Sequence, residues 1–120
     1  MELTTEQALE QGVAAHKIGK LQEAERLYRA ILQAQPKNSD ANHNLGVLAV
    51  SVNRVDLALP LFKTALKVNP TIEQYWFSYI DALVRANQRK DAKQAIKKAK
   101  KKGFDPKKLD ALVSQATIKV

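Results

Sequence analysis

Cysteine is missing from all 120 positions. That excludes disulfides and thiolate metal sites, and it suits a reducing compartment without demanding one. Histidine is nearly missing too, with only His16 and His43, and the serines Ser39, Ser51, Ser78 and Ser114 stand at no recognised spacing from a base and an orienting acid. The four glycines are scattered, so no glycine-rich phosphate loop exists. No run approaches the roughly 20 apolar residues of a membrane span. The opening Met1-Glu2-Leu3-Thr4-Thr5-Glu6-Gln7 is acidic and polar, unlike a secretory signal. These absences argue against an enzyme, a cofactor or a membrane span and leave a soluble cytoplasmic chain as the expectation. Its length suits one domain, residues 1–120, able to bury about two thirds of the surface its unfolded form exposes.

What is present is a self-similarity of 34 residues, relating Gly12 to Gly46 and Ile80, Ala24 to Ala58 and Ala92, and Tyr28 to Phe62 and Ile96. The same spacing relates Gly19 to Asn53 and Asn87, residue types that tolerate the left-handed backbone needed to end one helix and start another. Pro36 and Pro70 keep the period as well and mark where a second helix must stop. Each unit therefore reads helix, tight turn, helix. The predicted helices run from about Thr4 to Lys17, Lys20 to Ala34, Ser39 to Val52, Val55 to Val68, Thr71 to Ala86 and Arg89 to Lys102. Capping boxes are expected at Thr4/Gln7 and Thr71/Gln74. Asp105-Pro106 opens a seventh helix through about Ile118 as a cap followed by proline in the first turn. Its Leu109, Leu112, Val113 and Ala116 form an apolar stripe, so it is expected to cover the raw end of the array, with Asp110, Ser114 and Gln115 outward. Pro60, inside the fourth helix, predicts a local kink.

A small residue, alanine, an aromatic, alanine and proline at these offsets resemble the tetratricopeptide repeat over about residues 5–104. The second unit matches best, through Leu45, Gly46, Ala49, Ala58, Phe62, Ala65 and Pro70, with Asn42 departing from type. The first keeps Gly12, Ala15, Ala24, Tyr28 and Pro36, but has Ala8, Gln11 and Ile31 where bulky, bulky and small residues are usual. The third has Trp76, Tyr79, Ala92 and Ala99, but Ile80, Leu83 and Ile96 replace the small residue, the tyrosine and the aromatic, so its helix contact must be repacked. The resemblance implies an all-α, right-handed solenoid of three helix-turn-helix repeats, about 5–38, 39–72 and 73–104, plus a capping helix of about 105–118. The stretch around Asn42–Ala49 is also similar to repeat regions of bacterial multidomain proteins that precede glycosyltransferase or sulfotransferase domains, which suggests a part of something larger.

In such arrays the first helices line a concave groove. The family's usual contact places are here Leu9, Val13 and His16, then His43, Val47 and Val50, then Phe77, Asp81 and Val84. Six of these nine are apolar where a merely solvated face would be polar, which points to an apolar or amphipathic peptide as the partner. Phe77, Val47 and Val50 are the expected anchors. The branch of the family that clamps chaperone carboxyl termini uses lysine, asparagine and arginine on these helices. Of the matching positions only Asn44 is of that type, against Leu9, Val13, Gln74 and Ser78, so a carboxylate would find nothing to neutralise it. His16, His43 and Asp81 could share a face, but they read as ordinary groove or surface residues rather than a metal trio. Glu23 and Glu25 beside Arg26 and Arg29 read as surface pairs.

Charge is unevenly spread. Arg85 to Lys108 holds eleven basic residues and two aspartates, while the whole chain carries +8, so the remainder is close to neutral at −1. Arg89, Lys93 and Lys97 share one stripe of the sixth helix and Lys90 and Lys98 the next, with Lys101 beyond, so a basic patch faces outward while Ala92, Ile96 and Ala99 face the core. No aromatic except Phe104 is interleaved among these lysines, so nucleic acid has no stacking platform and is disfavoured as a partner. A solvated helix face is the plainer reading of the patch. Self-association through the groove or the end repeats, and non-specific binding of anionic surfaces, stand as the alternatives to peptide binding.

Overall fold

The computed structural model describes residues 3–118, with side chains as far as Ser114. Seven helices follow in order: α1 (Thr5–Lys17), α2 (Leu21–Ala34), α3 (Ser39–Ser51), α4 (Val55–Val68), α5 (Glu73–Arg85), α6 (Arg89–Lys101) and α7 (Pro106–Ile118). They form three hairpins, α1–α2, α3–α4 and α5–α6, stacked in chain order with α7 against both α5 and α6.

The three hairpin turns share one geometry because the sequence places a residue that accepts positive φ at the same point in each. Gly19 adopts φ 81°, Asn53 62° and Asn87 60°. The next residue then turns its N–H back onto the helix just ended: Lys20 to the carbonyl of Ala15 at 2.8 Å, Arg54 to Ala49 at 2.7 Å and Gln88 to Leu83 at 2.8 Å. These bonds satisfy carbonyls that a helix end would otherwise orphan. Gly103, at φ 96°, repeats the device before α7, with Phe104 bonded to Ala99.

Within each hairpin the contact is set by residue size. A Cβ on Gly12 would lie 2.9 Å from Cζ of Tyr28 and closer still to the ring edge, and Gly46 stands in the same relation to Phe62. Both rings are fully buried. In the third hairpin the glycine and the aromatic are exchanged together for Ile80 and Ile96, both buried, so the repacking expected there is a trade of volume from one helix to the other. Between hairpins, Trp76 Nε1 donates to the carbonyl of Pro70 at 2.9 Å, and Asn42 Nδ2 donates to the carbonyl of Pro36 at 3.1 Å. The apparently aberrant Asn42 thus keeps the donor function of the tryptophan one repeat later.

The capping box of α1 forms as expected, with Gln7 N–H on Thr4 Oγ1 at 3.1 Å and Thr4 N–H on Gln7 Oε1 at 2.9 Å. The one expected at α5 does not. Thr71 is held by Asn69, its hydroxyl donating to Asn69 Oδ1 at 2.7 Å, so the chain enters α5 later, through Ile72. Helix α4 runs without interruption through Pro60, an exposed position. At the far end Asp105 Oδ1 accepts from the Lys107 N–H at 2.9 Å, Leu109 is fully buried, and Leu112 and Val113 are half-buried against the same cluster. Asp110 and Ser114 are exposed, as expected. The expectations for Gln115 and Ala116, and for Met1 and Glu2, fall outside the described side chains.

The two rows of helices in the stack pack unequally. First helices approach across repeats, α1 to α3 and α3 to α5, whereas among the described residues the Cα atoms of the second helices α2, α4 and α6 stay more than 8 Å apart. The first helices therefore form one continuous row, the inner wall of the expected groove, and the second helices form the other, outer row.

Candidate functional site

All ten groove positions lie on the three first helices, but the structure gives them different work. Leu9 and Val13 of α1 and Asn44 of α3 come together in an open hollow of about 400 Å³, completed by Glu10, Ala14, Lys17 and Asp40. Its floor is apolar and its rim carries both signs of charge. The sequence reading missed the last four. Three of them follow Leu9, Val13 and His16 by one residue on α1, so the adjacent stripe of the same face was the available signal.

The remaining apolar positions pack beside core clusters. Val47 and Val50 are half-buried against the cluster around Phe62 and Ala58, and Phe77 and Val84 against the one around Trp76 and Ile80. The three expected anchors thus each touch a core cluster while remaining partly exposed. Asp81 is paired with Arg85 on its own helix at 2.7 Å, and His16 is half-buried near the end of α1. Among the described residues no three of His, Cys, Asp and Glu are grouped to hold a metal ion.

His43 departs most from the expectation of a ligand contact, being only 7% exposed. Its ring stacks on Tyr75 with centroids 4.7 Å apart, its Nε2 lies 2.8 Å from Ser78 Oγ, and its Nδ1 lies 3.2 Å from Asn44 Oδ1. Tyr75 in turn donates its hydroxyl to Asp40 through a short hydrogen bond. Together these residues fasten α3 to α5. Burial lowers the His43 pKa against the smaller raising effects of Asn44 and Asp40, favouring the neutral ring. Burial, and then the Asp40 hydrogen bond, push the Tyr75 phenol up to about 12.

The basic residues Arg89, Lys90, Lys93, Lys97, Lys98 and Lys101 are all exposed, while Ala92, Ile96 and Ala99 are buried, as the helical spacing requires. The linear reading found no aromatic among the lysines. The fold supplies two from another helix: Trp76 and Tyr79 of α5 line a second hollow, of about 460 Å³, with Lys98 and Lys102 on one side and Lys63 and Lys67 of α4 on the other. Glu23–Arg26 at 2.5 Å and Glu25–Arg29 at 2.7 Å are the expected surface pairs. Among the described residues no helix is long and apolar enough to cross a membrane.

Comparison with solved structures shows the same architecture in proteins of distant sequence. The MamA protein of AMB-1 superposes with a TM-score of 0.81 at 24% identity, over 98% of this chain and 64% of that one. The TPR2B domain of yeast Sti1, solved in a complex with pHsp70, gives 0.83 at 15% identity over 97% and 98% of the two chains. An O-GlcNAc transferase of Thermobaculum terrenum gives 0.77 at 22% identity, and there this chain spans only 23% of the longer protein. A search of curated proteins finds no sequence match. The profile described as tetratricopeptide repeat matches residues 15–76, more than half of the sequence. With three hairpins in one 34-residue register, the chain belongs to the tetratricopeptide repeat family.

Proposed function

We propose that the inner wall binds an apolar or amphipathic peptide segment, and that the hollow between α1 and α3 receives its anchoring side chain. The observation that carries this reading is the composition of the hollow: Leu9, Val13 and Ala14 offer carbon surface, while Glu10, Lys17, Asp40 and Asn44 stand around it as partners for a peptide backbone. An anchor fully buried there contributes about 1.5–3 kcal/mol before the costs of association. Among the described residues Lys17 is the one cation lining it, which favours an internal segment over the carboxyl terminus taken by the clamp-bearing branch of the family. Phe77, Val47 and Val50 then hold the shape of the wall instead of gripping the ligand. The solved structure of Sti1 with pHsp70 supports a peptide-binding role by analogy.

The test uses Val13, which lines the hollow without belonging to a core cluster. Peptides selected from a displayed random library are titrated calorimetrically against the native chain and against Val13→Asp, with circular dichroism confirming equal helicity. Binding that persists at about 0.5 M salt, where exposed charge pairs are screened, and weakens at least tenfold in Val13→Asp is the expected result. Peptides bound equally well by both chains would overturn the assignment of the hollow.

A further inference from the structure

We propose a second binding site on the outer wall, where α4 and α6 flank a basic cleft that takes an acidic peptide segment carrying an apolar anchor. It is separate from the inner-wall site, sharing no lining residue with it. Lys63 and Lys67 line one side and Lys98 and Lys102 the other, all exposed, and among the described residues none of the four enters an ion pair. Four cations from two elements thus face a single hollow against one carboxylate, that of Asp91. Asp91 offsets only part of the mutual repulsion of the lysines, and an entering anion would offset the rest.

The floor decides which anion. Leu66, Trp76, Tyr79 and Ala95 line it, so the charged rim encloses carbon surface that a purely ionic ligand would leave uncovered. A nucleic acid strand would need an open aromatic face for stacking. Trp76 is only 6% exposed and its indole N–H is engaged by the Pro70 carbonyl. The cations are lysines, which act as point charges and lack the planar fork that arginine offers to phosphate. Asp91 in the wall also repels a run of phosphodiesters, whereas a peptide can set a neutral residue beside it. Acidic side chains on the rim and one apolar side chain on the floor are the complement of this cleft.

Trp76 is the sole tryptophan of the chain and lies in the cleft, so its emission reads occupancy directly. The probe is a short peptide of aspartates and glutamates around one central leucine, compared with the same peptide lacking the leucine and with single-stranded oligothymidylate of equal charge. Expected are a saturable change in emission, tighter binding of the leucine-bearing peptide than of either comparison, and loss of binding with added salt. In Lys63→Glu/Lys98→Glu affinity falls by at least about tenfold. Lys90→Glu/Lys101→Glu, which changes net charge equally but lies outside the cleft, loses much less. Equal loss in the two double variants, preference for the oligonucleotide, or no response to the peptide at millimolar concentration would each overturn the proposal. Val13→Asp leaves this binding intact, so failure of the inner-wall reading and failure of this one are told apart.

Discussion

A single methyl group added at Gly46 must displace the buried ring of Phe62, which already fills the space a Cβ would take. Alanine is a better helix former than glycine by about 1 kcal/mol, yet overpacking a close contact costs about 1–3 kcal/mol. Gly46→Ala is therefore expected to lower stability in urea unfolding, and Gly46→Ala/Phe62→Leu to recover much of the loss. Additive effects of the two substitutions would show that the ring and the glycine are not in register. Ile80 and Ile96 illustrate the same rule from the other side: the sequence shows two departures from the family pattern, and only their joint placement shows that one compensates the other. Asn42 was equally opaque, because the periodicity predicts a bulky residue there and not the hydrogen bond to the Pro36 carbonyl that the position supplies.

Between elements, the join of α3 to α5 is polar, through His43, Ser78, Tyr75 and Asp40, and it makes stability depend on pH. The His43 pKa is depressed below the ordinary 6.5 chiefly by burial, so the unfolded chain binds the proton more readily. Stability from this group is thus complete above 6.5 and declines as pH falls through the lower folded value. Thermal unfolding across that range should show a loss on the acid side that disappears in His43→Gln, even though the variant is weaker at neutral pH for want of the Tyr75 stack. An unchanged acid-side slope in the variant would assign it to another group. Helix number, order and turns were legible in the sequence because glycine, asparagine and proline punctuate each repeat. The detailed site was not. An apolar residue on a first helix serves the groove or the core equally well by its spacing, and Val13 and Val47, both half-buried, differ only in what they meet, Val13 lining the hollow and Val47 packing beside Phe62. Nor could any sequence window unite Lys63 with Lys98, which meet in one hollow only because the fold sets α4 and α6 on either side of it.

For the molecule as a whole, α7 closes the array at one end. Leu109 is fully buried against the third hairpin, and Lys100–Asp110 at 2.9 Å adds an exposed pair beside it. Leu109→Ala should cost about 2–5 kcal/mol. Because each repeat of a solenoid contacts only its neighbours, hydrogen exchange should rise first in α6 and α7 while α1 to α4 keep their protection. Uniform loss over all seven helices would mean that the stack unfolds as one unit. The segregation of charge along this stack has a further effect, on how the protein meets other molecules. Its extents are 46 × 29 × 20 Å, and nearly all the positive excess sits toward the α6–α7 end. The molecule therefore carries a permanent electric moment, and the field of an acidic body exerts a torque on it before contact, so that it arrives basic end first. Low ionic strength strengthens this alignment, and physiological salt confines it to the last several ångströms of approach.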